Sequence, residues 1–301
     1  MPDLSVSVAN SPVVGRRFTS ATIGNRKDER RNHLQFRVSG FVIDWYQLPD
    51  FHDVPITDRG DFDGAFVPTS KVFVRNVSPA SVEKAMTVVT DLCWLLRLAS
   101  MSAVVPYERE YAGHIRRWSV AAEFRDFRPP IDIHDGRAVE TFIEQTWLRY
   151  RRYKRPRQLE AVIDYLVYAA MSQIPVEAKL ILVFTALEHL KTTFARSEGI
   201  PIFKGKYRDL PRGTPPTKNS PVLSFEQLLR RMIGGVRMRA PLKDVVRLRN
   251  RLIHTGITRN RVTRNFEIYG GIVFVIHRYV FRLLGYTGPM MHHGELTTRK
   301  P

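Results

Sequence analysis

The sequence is poor in cysteine, since Cys93 is the only one among 301 residues. One cysteine can form neither an internal disulfide nor a thiolate zinc cluster, which excludes a disulfide-stapled secreted scaffold and a zinc finger. Cys93 lies in an apolar run from Thr90 to Leu96, so we expect a buried, inert thiol. This usage is typical of a reducing compartment, and we predict a cytoplasmic protein.

Long apolar runs are also missing. The most apolar stretch, from Ile268 to Leu284, contains two glycines, a histidine and two arginines. It is therefore too short and too charged to cross a bilayer. No apolar segment precedes Arg16, so we predict no secretory signal and no membrane association.

Acidic residues are scarce relative to basic ones. The chain has 29 Asp and Glu against 47 Lys and Arg, a net charge of +18 and a pI near 10.4. Nucleic acid is the leading partner for such a charge, an anionic membrane surface is the alternative, and a merely soluble basic protein is the plain interpretation.

Common catalytic motifs are absent as well. We find no Walker A run, Rossmann glycine fingerprint, His-Glu-x-x-His or Gly-x-Ser-x-Gly, which removes the most frequent nucleotide-, metal- and serine-dependent enzymes. His292 and His293 are adjacent but lack further ligands, and the aspartates between 50 and 63 lack a calcium-loop register. We predict no metal and no cofactor.

The first part of the chain, residues 1–130, has the pattern of an α+β domain with antiparallel strands plus one helix. A polar leader over residues 1–33 is expected to be partly mobile or to form one or two strands. The other expected elements are strands at 34–38 and 71–75, a helix over 80–101 and a hairpin over 104–124.

After Pro129 and Pro130 the pattern becomes helical. We predict a basic helical connector over 131–156, an all-α domain over 157–288 and a flexible tail over 289–301. The expected helices are 137–153, 157–172, 175–197, 224–233, 241–255 and 265–284. A basic loop over 200–221, rich in Pro and Gly, separates the third and fourth of these helices.

The helix over 241–255 carries Arg249-Asn250-Arg251-Leu252-Ile253-His254 and stops at Gly256. Cleavage of RNA without a metal needs a base for the proton of the 2′-hydroxyl, and the pKa of histidine suits that role near neutral pH. The charge that develops on the phosphorane needs a fixed cation, which arginine supplies with two donors. Asn250 can hold a backbone group or orient the imidazole.

This region resembles HEPN domains, named for "higher eukaryotes and prokaryotes nucleotide-binding". The motif is similar to their active-site signature, an Arg and a polar residue followed after a short gap by a His. The segment Ala186-Leu187-Glu188-His189-Leu190 is similar to the family's acidic helix. The later ending Leu283-Leu284-Gly285-Tyr286 is similar to that of Apea-like HEPN proteins. The resemblance covers roughly residues 157–288.

The resemblance implies an all-α HEPN-like helical bundle and a metal-independent endoribonuclease of prokaryotic antiviral defence or of a toxin system. It implies catalytic Arg249, Asn250 and His254, with Glu188 in support as an anchor for Arg249 or as a packing residue. It also implies a homodimer in which two copies of the motif form one site. A regulatory partner or trigger is expected, with residues 1–130 as a domain of unknown family that senses the trigger or selects the substrate.

Geometry sets one condition on this site. Five residues along a regular helix rotate by about 140°, so Arg249 and His254 do not share a face. They converge through the long Arg stem, through a distortion of the helix, or across two protomers. The plain alternative is that both side chains only interact with the negative end of the helix dipole.

A basic surface around the motif is the predicted RNA-binding site, because arginines pair with phosphates and aromatics stack on bases. Its members are Arg151, Arg152, Lys154, Lys204, Lys206, Arg230, Arg231, Arg247 and Arg251. A catalytically silent HEPN-like module that binds nucleic acid or a nucleotide and regulates a partner is the alternative function. In that case the Arg–His pair is structural.

Overall fold

The chain divides into two compact units. The computed structural model describes residues 1–23, 26–54, 56–125, 128–234, 242–258, 260–292 and 295–299. The first unit consists of residues 1–149 and 284–301, and the second of residues 150–283. The division thus falls inside the segment 131–156 that the sequence predicts as a connector, and the last residues belong to the first unit.

Seven strands of the first unit form one sheet in which every pair of neighbours is antiparallel. The strand order is β2-β3-β4-β5-β1-β6-β7. The strands are β1 (Leu4–Ala9), β2 (Arg17–Ile23), β3 (Arg26–Val38), β4 (Phe41–Gln47), β5 (Pro68–Val74), β6 (Val105–Tyr111) and β7 (His114–Arg117). The predicted α+β character of this part is confirmed.

Of the two expectations for residues 1–33, the strands are present and the mobile leader is wrong, although β1, β2 and the start of β3 make three strands rather than one or two. Strand β1 lies between β5 and β6, and all six of its residues are buried. The short alternation of Leu4, Val6 and Val8 with serines marks this strand. The hairpin predicted over 104–124 is shorter than expected, since β7 ends at Arg117.

One face of the sheet is apolar and is covered by helices of the same unit. Leu34, Phe36 and Val38 of β3 alternate with polar residues and are buried. Helix α2 (Val82–Ser100) packs against β6 and buries residues at three- and four-residue spacing, Cys93 among them. Burial raises the pKa of the Cys93 thiol to about 12, in keeping with an inert thiol.

The other helix described before position 130 is short, α1 (Pro49–His52), and 3₁₀ segments lie at Ile56–Phe62 and Pro79–Ser81.

The opposite face of β3 and β4 carries a polar network around Asp44, which is 1% exposed. Its carboxylate accepts hydrogen bonds from Gln35 Nε2 at 2.9 Å and from Arg75 Nε, and its Oδ1 lies 2.9 Å from His33 Nε2. The imidazole of His33 stacks on Tyr46, with the ring centroids 4.4 Å apart. Because each charged group has a partner, the network tolerates its low exposure.

Helix α3 (Gly136–Tyr153) brings a second carboxylate into the first unit. Glu140 accepts hydrogen bonds from Arg16 Nη1 at 2.7 Å, from Arg17 Nη1 at 2.5 Å and from the backbone N–H of Gln35 at 2.9 Å. Its side chain is 3% exposed, whereas both arginines remain about two-fifths exposed. Glu140 therefore joins the start of the sheet to α3.

The described residues of the second unit are mainly helical, with one two-stranded pair. Its helices are the end of α3, then α4 (Leu159–Ala170), α5 (Val176–Ser197), α6 (Phe225–Ile233), α7 (Leu242–Thr255) and α8 (Val262–Leu284), and its strands are β8 (Ile202–Phe203) and β9 (Lys206–Tyr207). Helix α5 packs against α4, α6 and α7. The predicted helices are all present, with α8 beginning three residues earlier than expected.

The end of the chain differs from the predicted flexible tail. Strands β10 (Met290–His292) and β11 (Glu295–Arg299) pair with each other in antiparallel register. The backbone N–H of Met291 also donates to the carbonyl of Pro130 at 2.8 Å. Polar composition favours a tail, and composition alone does not show that two short neighbouring segments pair as strands. His293, named with His292 above, lies outside the described residues.

Candidate functional site

Helix α7 carries the motif and fixes the direction of each of its side chains. Val245, Leu248 and Leu252 are buried at three- and four-residue spacing, which turns one stripe of the helix inward. The helix ends at Gly256, whose φ is 70° and whose N–H donates to the Leu252 carbonyl at 2.8 Å. A residue with a Cβ is strained in that left-handed conformation, so glycine provides the stop.

Arg249 lies beside the inward stripe and pairs with α5. Its Nη2 donates to Glu188 Oε1 at 2.5 Å, and the second carboxylate oxygen of Glu188 accepts from Lys191 Nζ, also at 2.5 Å. The side chains of Glu188 and Arg249 are 29% and 26% exposed. Glu188 therefore anchors Arg249, as one of the two roles expected for it, while both groups remain accessible to solvent.

An aromatic ring supports the two cations. The Phe225 ring centroid lies 5.1 Å from the guanidinium carbon of Arg249 and 4.9 Å from Lys191 Nζ. Phe225 is the first residue of α6, and a capping box between Ser224 and Gln227 defines that start. The face of an aromatic ring attracts cations, so Phe225 holds both of them close to Glu188.

Asn250 contacts the arginine rather than the histidine. Its Oδ1 accepts a hydrogen bond from Arg249 Nη1 at 2.8 Å. The sequence predicts that Asn250 holds a backbone group or orients the imidazole, and this contact with Arg249 corresponds to neither role. With Glu188 on one nitrogen and Asn250 on another, the guanidinium is held at two points.

His254 lies on a different face of α7. It is exposed, and its imidazole forms no hydrogen bond with any described residue. Spacing of three and seven residues places it on the same side of the helix as Arg251 and Arg247. The helix is continuous from Leu242 to Thr255, so no distortion brings His254 round to Arg249 within one chain.

His189, the neighbour of Glu188, is in a different environment. Its Nε2 is buried and has no hydrogen-bond partner among the described residues. Burial, and secondarily the positive charge of Arg196, lowers its pKa from the ordinary value of 6.5. A lone histidine on a helix is more often structural than catalytic, and the buried nitrogen and lowered pKa of His189 agree with a structural role.

The predicted RNA-binding residues are spread over the second unit. Arg151 and Arg152 are exposed at the end of α3, and Lys204 and Lys206 are exposed around the β8–β9 turn. Three further members pair with carboxylates: Lys154 with Glu160 at 3.8 Å, Arg230 with Glu226 at 2.7 Å and Arg231 with Asp209 at 2.7 Å. The last two, Arg247 and Arg251, lie on α7. Arg237 and Arg239 belong to the same basic stretch but lie outside the described residues.

Two residues of the Glu188 cluster were not identified from the sequence. Lys191 follows Glu188 by three positions on one helix, a spacing that brings oppositely charged side chains together and could have indicated it. Phe225 comes from another helix, and no local pattern connects it with Arg249. The cluster thus combines α5, α6 and α7.

The described residues contain no group of three or more His, Cys, Asp or Glu side chains arranged to hold a metal ion. Nor does any helix among them combine the length and the apolar character that crossing a membrane requires. Comparison with protein-family models, with curated proteins and with solved structures finds no match to this chain.

Proposed function

We propose that this protein is a metal-independent endoribonuclease of the HEPN type. The observation that carries the proposal is the contact between Glu188 on α5 and Arg249 on α7. It joins the acidic helix and the arginine motif, the two sequence features on which the resemblance rests. An exposed histidine about 1.4 turns further along the same helix completes the set of groups that the reaction needs.

The chemistry follows from the two roles. His254 takes the proton of the 2′-hydroxyl, the 2′-oxygen bonds to the phosphorus, and the bond from phosphorus to the 5′-oxygen breaks. The leaving oxygen takes a proton from water or from a protonated His254 of the second copy. Arg249 stabilises the charge on the phosphorane. The products are a 2′,3′-cyclic phosphate and a 5′-hydroxyl.

A homodimer is part of the proposal, because Arg249 and His254 diverge within one chain. Exposed apolar side chains occur around the motif, which is where a second copy would cover them. They are Ile253, Ile257, Val262 and Phe266, which are 54%, 65%, 60% and 47% exposed. Across two protomers, the arginine of one motif and the histidine of the other can face the same phosphate.

The biological setting proposed is prokaryotic antiviral defence or a toxin system in the cytoplasm, with RNA as the substrate. In that setting the activity needs restraint, and the first unit is proposed to receive the trigger.

One observation favours the alternative function. In this structure Glu188 neutralises Arg249, and His254 faces elsewhere. A module whose Arg–His pair is structural would look the same and would bind nucleic acid or a nucleotide through its basic face to regulate a partner.

A cleavage assay separates the two functions. Purified protein is incubated with single-stranded RNA in EDTA, and the products are analysed for a 2′,3′-cyclic phosphate. His254→Ala and Arg249→Ala are each expected to slow cleavage by about 100-fold or more while RNA affinity is retained. His114→Ala, an exposed histidine of the first unit, is the matched control and should cut at the wild-type rate.

Two results would contradict the proposal. If the wild type binds RNA but does not cut it, with or without the trigger, the regulatory module is the better account. If the mass in solution shows only monomers while cleavage persists, the site shared by two protomers is wrong.

A further inference from the structure

A small cleft opens between α7 and the start of α8, on the side of α7 that carries His254. Its volume is about 190 Å³, below the range of roughly 300–1,000 Å³ that is usual for sites enclosing a whole small molecule. The cleft is lined by Asp244, Arg247, Leu248, Arg251, Asn260, Arg264 and Ile268. Its size suits one compact group rather than an entire nucleotide.

The positive charge of the side chains that line the cleft favours an anion as its ligand. Three arginines face one aspartate, and the aspartate lies 3.9 Å from Arg247, at the limit of an ion pair. Arg264 is paired with Glu267 at 2.8 Å but keeps about half of its side chain exposed. The guanidinium of Arg251 pairs with no described carboxylate. A cation that no described carboxylate neutralises, next to two others, is the arrangement that an incoming anion stabilises.

The helices reinforce this preference. Arg264 lies in the first turn of α8, where the unpaired backbone N–H groups and the positive end of the dipole favour negative charge. Asn260 adds an amide that can donate a hydrogen bond at the same edge. Guanidinium groups match the oxygens of a phosphate through paired donors.

His254 lies close to this cleft along the chain. It follows Arg251 by three positions on α7, a spacing that brings two side chains to neighbouring positions on one face, about 5–6 Å apart at Cβ. Arg249 is turned away towards Glu188. Of the two arginines that share a face of α7 with the histidine, Arg251 is the nearer along the chain and Arg247 is one turn further away.

We propose that the cleft binds one backbone phosphate of single-stranded RNA through Arg251 and Arg264, and so positions the strand next to His254. The proposal rests on the proposed function and deepens it, because it assigns phosphate binding to residues outside the Arg249 anchor. Arg264 and Asn260 stand outside the family motif and were not identified from the sequence. Arg251 acts here as a binding and positioning residue.

The test uses full-length protein and a fluorescent 2′-O-methyl oligonucleotide, which lacks the attacking hydroxyl and cannot be cut. Affinity is measured as a function of salt concentration. Each lost phosphate contact should reduce the slope of log affinity against log salt by about 0.7. Arg251→Ala and Arg264→Ala are expected to show this reduction and to bind about tenfold more weakly. Arg251→Lys should keep the slope.

Arg196→Ala is the matched control, since Arg196 is an exposed arginine of the same unit at the end of α5. Its slope should equal that of the wild type. The proposal is overturned if the two cleft variants also keep the wild-type slope, or if the wild type does not bind the oligonucleotide. Binding to phosphatidylserine vesicles that weakens in the same variants would overturn the assignment to RNA.

A cleavage assay with the same RNA sequence, now carrying its 2′-hydroxyls, distinguishes failure of the cleft proposal from failure of the ribonuclease proposal. If the wild type never cuts it but the cleft variants lower the slope, the ribonuclease proposal fails and the cleft stands. If the wild type cuts it and the slopes do not change, only the cleft proposal fails.

Discussion

Two glutamates, one in each unit, bind two cations each but in different surroundings. Glu140 of the first unit is 3% exposed and pairs with Arg16 and Arg17. Glu188 of the second unit is 29% exposed and pairs with Arg249 and Lys191. The number of cations is the same, and the accessibility of the carboxylate differs about tenfold.

This difference separates a structural ion pair from one that a ligand can replace. Removing a buried charge from its partners costs several kcal/mol, whereas partly exposed pairs contribute about 0–1 kcal/mol because water and salt compete with them. Glu140 also accepts a backbone hydrogen bond, from Gln35, that ties it to the sheet. Among its described contacts, Glu188 accepts no hydrogen bond from a backbone N–H, so a phosphate can compete with it for Arg249.

The largest effect is expected at Glu140. Glu140→Ala removes hydrogen bonds to two guanidinium groups and one N–H, and should lower the free energy of unfolding of the first unit by about 3 kcal/mol. Hydrogen exchange followed by mass spectrometry measures the stability of the first unit separately from that of the second. Glu144→Ala, at an exposed glutamate one turn further along the same helix, should change it by no more than about 0.5 kcal/mol. Equal losses in the two variants would remove the distinction.

Acid should destabilise the first unit, because it protonates the Glu140 carboxylate. Burial raises the pKa of Glu140, but hydrogen bonds from Gln35, Arg16 and Arg17 outweigh it and leave the pKa below its ordinary value of 4.5. The pKa of Asp44 is also lowered, because its hydrogen bonds outweigh its burial. A lowered folded pKa means that the stabilisation is complete above the unfolded value and is lost as the pH falls.

Denaturation of wild type and Glu140→Gln between pH 7 and pH 3 measures this dependence. Below about pH 4.5 the wild type should lose stability more steeply than the variant, which has no carboxylate to protonate at this position. Parallel curves would show that Glu140 does not contribute to the pH dependence.

Glu188→Gln should have a smaller effect on stability and a visible one on activity. The free energy of unfolding is expected to change by less than about 1 kcal/mol, because the pair is partly exposed. Cleavage of RNA should fall by about tenfold, since Arg249 loses a charge-assisted hydrogen bond that orients it. A loss of stability as large as that of Glu140→Ala would make the two glutamates equivalent.

The smallest effect is expected at Phe225. Phe225→Leu keeps an apolar side chain but removes the ring face below Lys191 and Arg249, at a cost of about 0.5–1 kcal/mol. A double-mutant cycle with Lys191→Met isolates the interaction. A coupling energy of zero would mean that Phe225 only fills space beside the cluster.

The helices and the motif were predictable because their signals are local. Buried residues at three- and four-residue spacing defined α2 and α7, and Gly256 defined the end of α7. The choice between a mobile leader and strands stayed open for residues 1–33 because β1 is stabilised by partners distant in the chain, β5 and β6. The tail was mispredicted although β10 pairs with the next strand along the chain, since both strands are short. Local polarity does not report such pairing.

The sequence by itself determined that Arg249 and His254 lie on different faces, because the helical period sets the angle between positions five residues apart. It also determined which residues are available as base and cation. Only the tertiary structure decided that Arg249 meets Glu188 and Phe225, and that Arg251 lines a cleft with Arg264. The physical reason is that contacts between helices depend on how their buried stripes pack, and each stripe alone is compatible with several neighbours.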